Sequence, residues 1–175
     1  MVVKKSFSLG LLSFILLSCV GCDQAVKAIA KGALELRAPV SLLYGMVRLE
    51  YVENPGAFLS LGAELPAQAR FLFGVVLVGV ALLVTLVFLF RSRGLAPAQK
   101  LGLALLVGGG SGNLIDRLFN EGAVVDFVSL GIGPLRTGIF NVADVAITAG
   151  FLLLCLATWR PAPDPAEPDA AGADL

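Results

Sequence analysis

The sequence predicts an all-α membrane protein of four transmembrane helices, with a small extracytoplasmic β-sheet or hairpin in its first outer loop. Three observations predict it. The chain of 175 residues is 57% hydrophobic and only 15% charged, with a mean hydropathy of +0.88. That is too apolar for a soluble domain and too long for a single anchor. Four apolar runs approach the roughly 20 residues needed to cross a bilayer. Between the first two runs, apolar and charged residues alternate with the period of a strand.

The first span, about residues 6–28, follows Lys4 and Lys5 and is charge-free as far as Cys22. A cleaved leader is the competing reading, but helical character continues through Asp23-Gln24-Ala25-Val26-Lys27 and three further spans follow. The second span, about 69–90, is charge-free from Phe71 onward. The third, about 97–117, is short as a charge-free run and spans if Lys100 snorkels at one end. The fourth, about 138–159, is interrupted only by Asp144. The region of about 38–66 holds Met46-Val47-Arg48-Leu49-Glu50-Tyr51-Val52-Glu53 and the turn residues Pro39 and Asn54-Pro55-Gly56. It reads as a β platform at the membrane surface. Residues 1–160 form one membrane domain, and the Pro-, Ala- and Asp/Glu-rich residues 161–175 read as a disordered tail.

Basic residues in short loops set the orientation. Arg91, Arg93 and Lys100 lie between the second and third spans with no acid among them, so that loop is expected in the cytoplasm. Both termini then also lie inside, and loops of about 31–70 and 117–137 face outward. On this topology Asp23, Asp116 and Asp126 fall at the outer face. Asp144 falls within the fourth span, about two turns from its outer end at roughly 1.5 Å per residue.

Composition narrows the chemistry. The formal net charge is zero, which offers nothing to a nucleic acid, and histidine is absent. Without histidine there is no Ser-His-Asp triad, no Cys-His pair and no histidine metal site. A carboxylate inside a span is costly and faces a bundle interior or a wet cavity. Asn141 precedes Asp144 by three residues, and Asn113, Asp116 and Arg117 share a face of the third span. Asp23 and Lys27 form an i, i+4 pair, and Asp23, Lys27, Asp116 and Arg117 could all be structural ion-pair partners. Two carboxylates in a low-dielectric site cannot both ionise easily, so one holds a proton while the other acts as a base toward water. The residues themselves leave open which two aspartates pair. A proton or ion pathway around Asp144 and a thiol oxidoreductase using Cys19 and Cys22 are the alternative readings.

Five elements carry a resemblance. Asp23-Gln24-Ala25-Val26-Lys27, Asn54-Pro55-Gly56-Ala57-Phe58, Gly109 to Arg117 (G-G-S-G-N-L-I-D-R), Val125-Asp126-Phe127 and Phe140-Asn141-Val142-Ala143-Asp144 stand in this order. Together they resemble the motifs of the lipoprotein signal peptidases, an aspartic peptidase family also called signal peptidase II. Many members read N-x-G-A-A-F where Phe58-Leu59 stands here. The resemblance implies that Asp126 and Asp144 are the catalytic dyad. It implies that Asn54, Gly56, Asn113, Arg117 and Asn141 bind substrate or support the dyad and that Asp23 and Lys27 are structural, and it leaves the role of Asp116 open between structure and the site's protonation. It further implies a bacterial inner membrane location and no metal or organic cofactor. The expected partners are diacylglyceryl-modified prolipoproteins and membrane lipid, and the expected state is a monomer.

Overall fold

The computed structural model describes residues 9–56, 61–92 and 94–159. The basic N-terminus, Phe58-Leu59, Arg93, Arg160 and the acidic tail lie outside the described residues. Four long helices form a bundle: α1 (Leu9–Leu34), α2 (Ala67–Arg91), α3 (Pro97–Phe119) and α4 (Val142–Thr158). By length and composition α1 and α2 can each cross a membrane; α4 is equally apolar but shorter. Within α2, residues Leu72–Leu77 wind as a π-helix.

α3 is the central helix, and its glycine run makes it so. Successive residues of a helix point about 100° apart, so three consecutive glycines can face three different neighbours. A Cβ on Gly108 would lie 2.7 Å from the Cβ of Cys19 on α1. One on Gly109 would lie 2.5 Å from the carbonyl oxygen of Ala143 on α4, and one on Gly110 would lie 2.6 Å from Leu82 on α2. Further along the same seam, a Cβ on Gly150 would meet the Gly102 carbonyl oxygen at 2.6 Å. Helices in lipid gain little from hiding apolar surface and associate through such close backbone approach. The large side chains point outward instead: Phe14, Leu17, Ile29, Phe71, Leu83 and Leu156 are all exposed.

The β platform is larger than the first loop alone predicts. β1 (Val40–Leu42) and β2 (Val47–Asn54) do come from the chain between α1 and α2. β3 (Val124–Ile132) and β4 (Leu135–Arg136) come from the chain between α3 and α4. They complete a four-stranded antiparallel sheet of order β1-β2-β3-β4. Asp126, expected in a loop, therefore sits in β3 opposite Val52, while Asn54 pairs with Val124. The run Val124-Val125-Asp126-Phe127-Val128 hides this strand from pattern reading, because an almost uninterrupted apolar run lacks alternation. A tight turn with Glu121 and Gly122 at φ 48° and 88° leads from α3 into β3.

Asp144 also sits differently from the expectation. The fourth helix starts at Val142, not near residue 138, so Asp144 lies in its first turn. Asn141 is the N-cap. Its side-chain oxygen accepts from the Asp144 backbone N–H at 2.9 Å, and the Asp144 carboxylate accepts from the Asn141 N–H at 3.1 Å. This reciprocal capping box uses donors that a helix start otherwise leaves unpaired. Phe140, just upstream, pairs with Val128 and ties the helix entry to β3.

Two glycine substitutions test the packing. Gly109→Ala is expected to destabilise the protein by about 1–3 kcal/mol, because the Ala143 backbone must yield. Gly21→Ala, which meets open space, is expected to be neutral or to stabilise by up to about 1 kcal/mol. Denaturation midpoints of purified protein in detergent measure both.

Candidate active site

The four aspartates of the bundle converge at one end of it, in two groups. The first group surrounds Lys27 of α1, whose ammonium is 4% exposed. It contacts Asp23 Oδ2 at 2.8 Å, Asp116 Oδ2 at 2.8 Å and Asn113 Oδ1 at 2.9 Å. An ammonium has three donors, and all three are used. The carboxylates pass the connection on. Asp23 Oδ1 accepts from the backbone N–H of Ala143 at 2.9 Å, at the start of α4. Asp116 Oδ2 accepts from the backbone N–H of Val125 at 3.0 Å, next to Asp126. Gln24 donates to Asp116 Oδ1 at 2.8 Å and to the Gly112 carbonyl at 3.2 Å.

The second group is Asp126 and Asp144, framed by three asparagines. Asn54 donates to Asp126 Oδ2 at 3.0 Å, and Asn141 donates to Asp126 Oδ1 at 2.7 Å. Asn113 donates to Asp144 Oδ1 at 2.9 Å. Each amide is oriented by a partner that can only donate. The Asn54 oxygen accepts from Gly56 N–H at 3.0 Å, the Asn141 oxygen from Asp144 N–H, and the Asn113 oxygen from Lys27. In each case the NH2 end must then turn toward a carboxylate. Asn141 touches both carboxylates, one through its side chain and the other through its backbone N–H.

Both carboxylates open onto one cavity of about 720 Å³, which Asn54, Asn113 and Arg117 also line. Its remaining walls are largely apolar and include Val78, Leu130, Phe140, Val145, Ile147 and Leu152. Arg117 donates to the Gly56 carbonyl at 2.8 Å and to the Asn113 carbonyl at 3.5 Å. It thereby ties α3 to the turn after β2. Burial pushes the Asp126 carboxyl up to about 6. The hydrogen bond from Asn54 opposes that rise, the negative charge of Asp144 adds to it, and the Asn141 hydrogen bond and the Lys27 charge oppose it.

Every site residue singled out from the sequence is therefore in one continuous network. Asp126, Asp144, Asn54, Asn113, Arg117 and Asn141 line the cavity or bond to a residue that does. Gly56 contributes its N–H to Asn54 and its carbonyl to Arg117. The expected ion pair of Asp23 with Lys27 forms, and Asp116 joins it; Arg117 instead donates to the carbonyls of Gly56 and Asn113. Sequence reasoning gave no role to Gln24 or to the backbone N–H groups of Val125 and Ala143. The signal for Gln24 is its place in the Asp23-Gln24-Ala25-Val26-Lys27 motif. Cys19 packs against α3 at Gly108 and Cys22 is exposed; neither lines the cavity.

The raised Asp126 has a consequence for stability. The folded protein holds this proton up to about pH 6, whereas an unfolded aspartate releases it near pH 4. Its contribution is fully present below about pH 4 and is lost as pH rises through about 6. The stability of the parent should thus fall between about pH 4 and 6 relative to Asp126→Asn, by on the order of 1–3 kcal/mol. Chemical denaturation of both proteins across that range checks the difference.

A family model for signal peptidase (SPase) II matches residues 15–160. The lipoprotein signal peptidase of Moorella thermoacetica is 37% identical over 154 residues, covering 85% of this chain and 94% of its own. That of Rhodococcus jostii is 38% identical over 155 residues, with 85% and 72% covered. That of Leifsonia xyli subsp. xyli is 36% identical over 158 residues, with 87% and 68% covered. A bacterial membrane enzyme solved at 2.3 Å superposes with a TM-score of 0.77 at 24% identity, covering 89% of this chain and 92% of that one. The matched region takes in all five sequence motifs and both groups of carboxylates, and the chain belongs to the signal peptidase II family of bacterial membrane peptidases.

Proposed function

We propose that the chain is an aspartic endopeptidase that removes signal peptides from prolipoproteins, cutting before the diacylglyceryl-modified cysteine, with Asp126 and Asp144 as its catalytic pair. The observation that carries this reading is the placing of two carboxylates, oriented by a shared asparagine, on one cavity with apolar walls. Family membership supports the reaction. The apolar walls suit acyl chains and the hydrophobic end of a signal peptide. Asn54 and Arg117 line the same cavity, and in this reading they contact the substrate backbone.

In this mechanism the pair holds one proton, and burial makes Asp126 its natural holder. The ionised Asp144 takes a proton from a water molecule as the water oxygen attacks the carbonyl carbon of the scissile amide. Asp126 gives its proton to the carbonyl oxygen. Collapse of the tetrahedral intermediate breaks the C–N bond, and the leaving amine collects the proton held by Asp144. The oxyanion proton returns to Asp126, which restores the starting state.

The topology belongs to the same proposal. All four helices cross the membrane, α3 with Lys100 at one interface. Both termini lie in the cytoplasm, and the sheet and the cavity mouth face outward in a bacterial inner membrane. Residues 1–160 form the peptidase unit, which acts as a monomer.

Purified protein in detergent is expected to cleave a diacylglyceryl-modified prolipoprotein and to leave the unlipidated precursor intact. Asp126→Asn and Asp144→Asn should each lower kcat by roughly 10³-fold or more while remaining folded. Cleavage at a normal rate by either variant, or none by the folded parent, overturns the reading.

A further inference from the structure

We propose that Lys27 is a positioning residue for the carboxylate pair and acts through Asn113. The inference rests on the peptidase reading above and adds to it a role for a residue that reaches neither the cavity nor the substrate.

Asn113 stands between two groups of opposite demand. Its oxygen lies 2.9 Å from the Lys27 ammonium, and its nitrogen lies 2.9 Å from Asp144 Oδ1. An amide can be turned end for end at almost no cost in shape, so its neighbours decide which end faces which way. An ammonium can only donate, and an ionised carboxylate can only accept. With Lys27 in place only one orientation satisfies both. The positive charge at the oxygen also polarises the amide and strengthens its N–H toward Asp144. A second tie runs the same way, since Asn141 Nδ2 also donates to the Asn113 oxygen at 3.1 Å. That tie is weaker, because Asn141 Nδ2 is shared with Asp126 Oδ1 and the Val125 carbonyl. Lys27 is thus the charged partner that fixes Asn113, and Asn113 is the side chain that fixes Asp144 Oδ1.

Lys27 also binds Asp23 and Asp116, so a simple removal would leave buried carboxylates unpaired. The test therefore uses Lys27→Met together with Asp23→Asn. This pair removes one charge of each sign, and the asparagine oxygen can still accept from Ala143. With a diacylglyceryl-modified prolipoprotein as substrate, kcat should fall about 10- to 100-fold while KM stays within about twofold. In protein labelled with 15N-asparagine, the Asn113 side-chain NH2 resonances, assigned with Asn113→Ala, should shift and exchange faster with water. Lys27→Gln with Asp23→Asn serves as a second, more conservative neutral pair. A folded variant with kcat within twofold of the parent, or with unchanged Asn113 resonances, overturns the proposal. So does failure of both pairs to fold, which assigns Lys27 to the fold alone. A folded parent that does not cleave overturns the peptidase reading and this inference with it. A cleaving parent with an equally active variant overturns this inference only.

Discussion

One buried ammonium group joins three of the four helices at their shared end. Lys27 on α1 reaches Asp116 and Asn113 on α3, and its neighbour Asp23 accepts from the first turn of α4. Moving charges out of water is costly, and a buried pair stays favourable only while its remaining hydrogen bonds are made. Here they are made: Asp23 by Ala143, Asp116 by Gln24 and Val125, and Lys27 by all three of its acceptors. Such a cluster tolerates little sliding of one helix along another. The two elements that carry Asp126 and Asp144 hang from it by backbone hydrogen bonds, and the rest of the site inherits its geometry.

Apolar packing could not supply that precision. The bundle presents most of its large side chains outward, and its fully buried apolar cluster is small, centred on Leu12, Leu89 and Ala104. Glycines of α3 bring the backbones close enough for short side chains to bridge them. Gly112 shows the link directly, since a Cβ there would lie 2.5 Å from Asp23 Oδ2. The glycine run and the polar cluster are therefore one device: the first removes side-chain bulk, and the second fills the space with oriented hydrogen bonds.

The asparagines explain how two carboxylates can be kept ready in an apolar cavity. Each amide is pinned at its oxygen by an obligatory donor and turns its nitrogen toward the pair. The donors are thus oriented by the fold itself. Arg117 closes the frame by holding the turn after β2, so that Asn54 stays over Asp126. A cavity so arranged is polar at one edge and apolar along its walls.

The sequence by itself determined the membrane class and the apolar runs, and it singled out the polar residues that the fold gathers at one end. Hydropathy is a local property, and the spacing of Asn113 from Asp116 and Arg117, or of Asp23 from Lys27, fixes a helix face wherever the helix lies. Absence of histidine left carboxylates as the means of hydrolysis. Only the tertiary structure decided that β3 and β4 complete the sheet, because the pairing of β2 with β3 joins residues seventy or more apart and the apolar run at Val124–Val128 carries no alternation. It also decided that Asp144 starts its helix instead of interrupting it, through a cap whose formation depends on where Phe140 joins β3. The residues' own pattern left open which aspartates pair, and only the resemblance implied a split; the fold puts Asp23 and Asp116 around Lys27 and Asp126 and Asp144 on the cavity. Identical side chains acquire different chemistry only from their neighbours, and those neighbours come from four helices and two strands that meet only in the folded chain.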